Sequence, residues 1–124
     1  MIDESSVKIL ITGSLGSLGS ELKKKFPSAL TPNHNELDIT NKEKVIKFFK
    51  KNKINIIIHA AAITSVRKCE EEKELTWKTN VEGTKHLVDA LIQTNPNGKL
   101  IYLSTACVFD GNIGMYKESS IPYP

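Results

Sequence analysis

Cysteine is scarce in this 124-residue sequence: Cys69 and Cys107 stand far apart, with no second pair and no C-x-x-C spacing. That leaves nothing to build a disulfide framework or a cysteine zinc site from, and both side chains are expected to be reduced thiols. Long hydrophobic runs are missing too. The longest nearly apolar stretch, from Ile54 to Ile63, already contains Asn55 and His59 and falls far short of the roughly 20 residues of a membrane span. No basic segment followed by an apolar run opens the chain; Met1 to Ser6 is acidic and polar, so no secretory signal is read and the cytoplasm is the expected compartment. Nor is one sign of charge concentrated. The net +3 is a lysine excess interleaved with glutamate, densest from Lys42 to Lys53, and aromatics make up 6%. A nucleic-acid groove would want clustered cations and exposed rings, so a solvated helix face is the better reading and no nucleic-acid partner is expected.

What remains, 40% apolar and 25% charged, is the composition of one small globular domain without repeats or low-complexity linkers. Val7 to Thr12 is a short, mostly β-branched run stopped by Gly13, which predicts a buried strand. A glycine turn then leads into a helix around Glu21 to Phe26, ended by Pro27. Ala29 to Thr31 and Leu37 to Ile39 read as two brief extended pieces around the turn-forming Pro32 to Asn35. Thr40 and Glu43 have capping-box spacing before a helix to about Asn52. Ile54 to Ala60, apolar almost throughout, predicts a central parallel strand covered on both faces. From Glu74 to Thr94, Trp77, Val81, Thr84, Val88 and Leu91 recur at helical spacing. Leu100 to Thr105 is the last strand, followed by turn-rich sequence with no covering helix. Alternating strands and helices give an α/β class with a parallel, doubly wound sheet, here ending after a fifth strand with an apolar face at risk of exposure.

The segment with the most chemical content is Gly13-Ser14-Leu15-Gly16-Ser17-Leu18-Gly19 between the first strand and the first helix. Missing Cβ atoms there let the backbone turn tightly, approach a pyrophosphate and pack the helix on the sheet. The free N–H groups and partial positive charge of the helix start favour phosphate. No metal-ligand cluster accompanies it.

The spacing is G-x-x-G-x-x-G, and with Leu37-Asp38-Ile39-Thr40, His59-Ala60-Ala61-Ala62-Ile63-Thr64, Asn80-Val81-x-Gly83-Thr84 and Ser104-Thr105-x-x-Val108-Phe109-Asp110-Gly111 the chain resembles the extended short-chain dehydrogenase/reductase family. Within it, the chain is most similar to the dTDP-4-dehydrorhamnose reductase branch. The resemblance runs from Val7 to Pro124 and implies a Rossmann-like fold, with residues 1–124 as the N-terminal part of an NAD(P)-binding domain and the substrate-binding C-terminal part lying outside this chain. It implies that Gly13, Ser14, Gly16, Ser17, Leu18, Gly19, Asp38, Ile39, Ala60, Ala61, Ala62, Thr64 and Ser104 bind the cofactor, with Asp38 and Ile39 beside the adenine. NADP and NAD both stay open, because Asn33 and His34 stand where an acidic residue would bind the ribose 2′-hydroxyl.

Thr105 takes the position whose hydroxyl, by the same resemblance, hydrogen-bonds the substrate carbonyl. The Tyr-x-x-x-Lys pair expected to deliver the proton is absent: Tyr102, Tyr116 and Tyr123 have no lysine four residues on. A tyrosine of ordinary pKa needs such a cation to work near neutrality. The chain is therefore expected to be the cofactor-binding front of an oxidoreductase transferring hydride to a 4-keto nucleotide sugar, with the tyrosine just past Pro124. A nucleotide-sugar epimerase or dehydratase of the same family is one alternative, and a non-catalytic NAD(P)-binding regulatory module another. Ala106-Cys107 replaces the branch's usual Asp-Tyr, leaving the sugar open; a nucleotide sugar is the expected partner and a homodimer remains open. His59 is read as a hydrogen-bonded core histidine, His34 and His86 as loop and helix-surface residues, Asn80 as a residue able to hold backbone near the site, and Cys107 as a small apolar filler.

Overall fold

The computed structural model describes residues 6–124, so most of the polar N-terminal stretch read above lies outside the described residues. Strand β1, Ile9–Thr12, is followed by helices α1, Ser17–Lys25, and α2, Lys42–Asn52, then strand β2, Ile56–His59. Helices α3, Val66–Glu71, and α4, Lys73–Trp77, lead through a π-helical turn, Lys78–Gly83, into α5, Thr84–Thr94. Strand β3, Lys99–Tyr102, and a 3₁₀ turn, Ala106–Val108, complete the described elements. The three strands are parallel in the order β1-β2-β3, with Thr12 level with His59 and His59 level with Tyr102. On the other side of β1, Leu30 makes a single parallel bridge, its N–H donating to Ile9 and its carbonyl accepting from Ile11. The chain thus winds outward from β1 in two directions, which makes the β1/β2 junction the point where strand order reverses.

The period-2 alternation of strands divides the core. Leu10 and Ile57 face α2 and α5, packing with Val45, Phe49, Leu87, Ala90 and Leu91. Ile11 and Ile58 turn to the other face and are also buried. Ile101, the register partner of Ile58 on β3, is 49% exposed, and Tyr102 and Leu103 are exposed with it. The expected open apolar face at the last strand is therefore present.

Four elements differ from the sequence reading. Among the described residues the sheet has three strands, not five: Ala29–Thr31 shrinks to the Leu30 bridge, and Leu37–Ile39 is irregular because Asp38 spends its side chain on a local turn, accepting from the Thr40 N–H at 3.0 Å and the Thr40 hydroxyl at 2.7 Å. With Thr40 thus engaged, Asn41 is the N-cap of α2, its Oδ1 accepting from the Lys44 N–H at 3.0 Å. Helix α1 starts at Ser17, four residues before Glu21, so Ser17, Leu18 and Gly19 are its first turn. The single long helix is broken into α4, the π turn and α5. The wide turn shifts the helical phase, leaving Trp77 and Val81 exposed while Gly83, Leu87, Ala90 and Leu91 are buried.

Candidate functional site

In an open α/β sheet, ligands bind outside the carboxyl ends of the strands where the strand order reverses. Here that place holds a cleft of about 430 Å³. Its floor is the end of β1 and the glycine turn, Thr12 to Gly16, with Ala61 and Ile63 following β2; its sides come from the Pro32 to Thr40 segment and from Lys68, Leu75 and Thr79.

The glycines are explained by close approach. Gly13 has φ +70°, and a Cβ there would lie 2.7 Å from the Ala60 carbonyl and the Ala61 nitrogen. At Gly19 a Cβ would lie 2.0 Å from the Gly13 oxygen, so α1 can sit this near the turn with glycine alone. Gly16 is different: a Cβ would meet nothing nearer than 3.4 Å, so the protein's own packing leaves room that a bound group can use. Gly16 is also the N-cap of α1 and offers no side chain to its N–H groups, and no acidic residue occupies the first turn. The uncapped donors of a nine-residue helix, at its positive end beside a glycine cradle, fit the pyrophosphate of a dinucleotide.

Of the residues put forward from sequence, Gly13, Ser14, Gly16, Ile39 and Ala61 line the cleft. Ser17 and Leu18 lie exposed on the first turn of α1, Gly19 is buried beneath Gly13, and Ala60 packs its carbonyl against Gly13. Asp38 does not line the cleft. Burial pushes its carboxyl up, but the Thr40 hydrogen bonds, with the nearby charges of His34 and Lys44, outweigh this and hold it below the usual carboxylate range. Ala62 and Thr64 are exposed beyond β2. Ser104 and Thr105 follow β3 at the same carboxyl edge and border a separate depression with Phe109 and Tyr116. The Thr105 hydroxyl oxygen accepts from the Cys107 N–H at 3.1 Å, which leaves its own proton to be donated elsewhere.

Sequence reasoning missed the part played by the helix after β2. Asn80 alone was read there as able to hold backbone, and it does: its Oδ1 accepts from the Ile63 N–H at 2.8 Å and its Nδ2 donates to the Ile63 carbonyl at 2.9 Å. A Cβ on Gly83 would strike Ile39 at 2.8 Å, and His86, half-buried where a surface residue was expected, donates from Nδ1 to the Ile39 carbonyl at 2.9 Å. Cys69 is half-buried with its thiol toward the Ile63 carbonyl, whereas Cys107 is exposed and fills no core space. His34 and Lys68 also line the cleft, and among the described residues no Asp or Glu does. His34 had the cue of standing where the ribose is expected; Lys68, on α3, had none.

His59 is 2% exposed at the end of β2. Its Nδ1 lies 2.6 Å from the Thr12 hydroxyl and its Nε2 2.8 Å from that of Thr84. Burial pushes its pKa down to about 4, so the ring is neutral at physiological pH.

The model of the RmlD substrate-binding domain family matches residues 7–124, nearly the whole chain. The chain belongs to that family. A dTDP-4-dehydrorhamnose reductase of Aggregatibacter actinomycetemcomitans is 40% identical over 94% of this chain and 41% of its own length. Methionine adenosyltransferase 2 subunit beta of Xenopus laevis is 32% identical over 96% of this chain and 38% of its own. The crystal structure of a dTDP-4-dehydrorhamnose reductase from Bacillus anthracis in complex with NADP superposes with a TM-score of 0.86 at 32% identity, covering 95% of this chain and 43% of that one. The chain thus spans about two fifths of the length of the family members it matches. The doubly wound, Rossmann-like architecture is shared with that crystal structure. Among the described residues no helix is long and apolar enough to cross a membrane.

Proposed function

We propose that this chain binds NADP(H) in the β1/β2 cleft and forms the cofactor half of a reductase acting on a 4-keto nucleotide sugar. The observation that carries the reading is the Gly13–Gly19 turn, whose exposed Gly16, unlike Gly13 and Gly19, is not required by the protein's own packing and stands at an uncapped helix start. The first-turn N–H groups of Ser17, Leu18 and Gly19 receive the pyrophosphate, and Ile39 borders the adenine, while Asp38 beside it holds the turn through Thr40. Ala60, Ala61, Ala62, Thr64 and Ser104 form the strand-end surface along which the nicotinamide half extends. The 2′-phosphorylated cofactor is favoured because His34 and Lys68 line the cleft and, among the described residues, no carboxylate does. When bound, the cofactor supplies hydride. The Thr105 hydroxyl, anchored by the Cys107 N–H, donates to the substrate carbonyl and orients it.

A Tyr-x-x-x-Lys pair is not among these 124 residues, so turnover is proposed for a protein that contains this segment together with such a pair. A cytoplasmic setting, a nucleotide-sugar partner and a homodimer belong to the same proposal. The test is oxidation of NADPH in the presence of 4-keto sugars carried on dTDP, GDP or UDP. Turnover of the dTDP form supports the reading; turnover of another nucleotide moves it to a sister specificity. The similarity to methionine adenosyltransferase 2 subunit beta favours a second reading, cofactor binding without turnover in a complex with a partner. Tight NADPH binding with no oxidation by any of the substrates, and co-purification of a stoichiometric partner, decides for it.

A further inference from the structure

His59 is not itself part of the cleft's lining, yet two of the cleft's backbone contacts converge on it. The Ala61 N–H donates to the Thr12 Oγ1 at 3.3 Å, and that oxygen lies 2.6 Å from His59 Nδ1. On the other side of the ring, Nε2 lies 2.8 Å from the Thr84 Oγ1, and the Thr84 hydroxyl donates to the Asn80 carbonyl at 2.8 Å. Asn80 holds both the N–H and the carbonyl of Ile63. Ala61 and Ile63, the ends of this chain of bonds, both line the cleft.

The protons in this chain can be assigned by counting. A threonine hydroxyl has one proton, and Thr84 gives its proton to the Asn80 carbonyl, so its oxygen must accept from His59 Nε2. Nε2 therefore carries the proton of a neutral ring. Nδ1 is then an acceptor and takes the proton of Thr12, whose oxygen remains free to accept from Ala61. Every donor is used once and no group is left over. With the opposite tautomer Nε2 and the Thr84 oxygen would face each other as two acceptors in a buried place, unless Thr84 abandoned Asn80.

We infer that His59, fixed as the neutral Nε2–H tautomer, is a positioning residue that sets the spacing of the cleft floor through Thr12 and Thr84 without touching the ligand. The effect on nucleotide affinity rests on the function proposed above; the tautomer does not. The work of the ring is to tie the end of β1, the exit of β2 and the π-helical turn into one unit, so that Ala61 and Ile63 keep their places as the cofactor binds.

The test uses ¹⁵N-histidine NMR of the protein together with NADP⁺ titration, applied to Thr84→Val, Thr84→Ser, Thr12→Val and Thr12→Ser. The wild type is expected to show His59, identified by loss of its signals in His59→Gln, as Nε2–H with Nδ1 bare. Thr84→Val removes the acceptor of Nε2, and a population of the Nδ1–H tautomer is expected to rise; Thr84→Ser restores the original signal. NADP⁺ binding is expected to weaken about tenfold in each valine variant and to stay within about twofold in each serine variant. A wild-type ring that is Nδ1–H or averages both tautomers overturns the inference, even if a variant fails to fold. If valine and serine variants bind NADP⁺ alike, the positioning role is overturned. A wild type with the expected tautomer that binds no NADP⁺ refutes the proposed cofactor and with it the effect on affinity, leaving the proton assignment standing as a structural feature.

Discussion

Acidification should loosen this fold in a window set by one residue. Burial lowers His59 from an ordinary value of 6.5 to about 4. Its folded pKa is thus below its unfolded one, so between these values the unfolded chain binds a proton that the folded chain refuses. The stabilisation is complete above about pH 6.5, is lost progressively as pH falls, and levels off below about pH 4. The size follows from the shift: roughly 3 kcal/mol in all, a large part of the stability of a domain this small. Carboxylates act elsewhere. Asp38, held low by Thr40 against its burial, and Asp110, held low by Tyr116 and the Asn112 N–H, are also depressed, so their contribution is present above their ordinary value of 3.8 and falls away at lower pH. Urea unfolding at intervals from pH 7.5 to 4.5 reads the histidine window almost alone. The wild type should lose about 2 to 3 kcal/mol across it, and His59→Gln, which has nothing to titrate there, should lose much less. Equal stability at the two ends, or an undiminished slope in His59→Gln, would refute the reasoning.

Other substitutions separate packing from binding. Gly19→Ala places a methyl where 2.0 Å is available and should cost roughly 3 kcal/mol, read as a lower urea midpoint. Gly16→Ala, whose methyl would meet the Gly13 oxygen at an ordinary contact distance of 3.4 Å, should cost about 1 kcal/mol or less in the same assay while weakening NADP⁺ binding at least tenfold. Phe49→Ala empties the centre of the α2/α5 layer, where the ring is fully buried, and should cost about 3–5 kcal/mol by urea unfolding. In an active protein, Thr105→Val should lower kcat on the order of 10²-fold with the Kd for NADP⁺ unchanged.

The fold class and the glycine turn were legible in the sequence because each rests on local rules: β-branched runs for strands, and missing side chains where backbones meet. What was lost depended on competition between neighbours. Thr40 has the spacing of an N-cap, but Asp38 takes its hydroxyl and Asn41 caps instead. The apolar stripe from Trp77 was read at a uniform helical period, and one π-helical turn shifts the phase and turns Trp77 and Val81 outward. At the site, the residues flanking glycines could be named from the motif, whereas Lys68 and Thr79 reach the cleft through the path of the chain after β2, which no spacing records. His59 was legible as a core histidine, though its partners Thr12 and Thr84 come from segments that only the fold brings together.

Equilibrium titration with NADP⁺, followed by amide NMR shifts, decides whether the β1/β2 cleft is a dinucleotide site. Saturable binding is expected, with the largest shifts at Gly13 to Gly19, Ile39 and Ala61, and with at least tenfold weaker binding in Gly16→Ala. A folded protein whose spectrum stays unchanged at millimolar NADP⁺ and NAD⁺, or one whose shifts cluster away from the glycine turn, would contradict it.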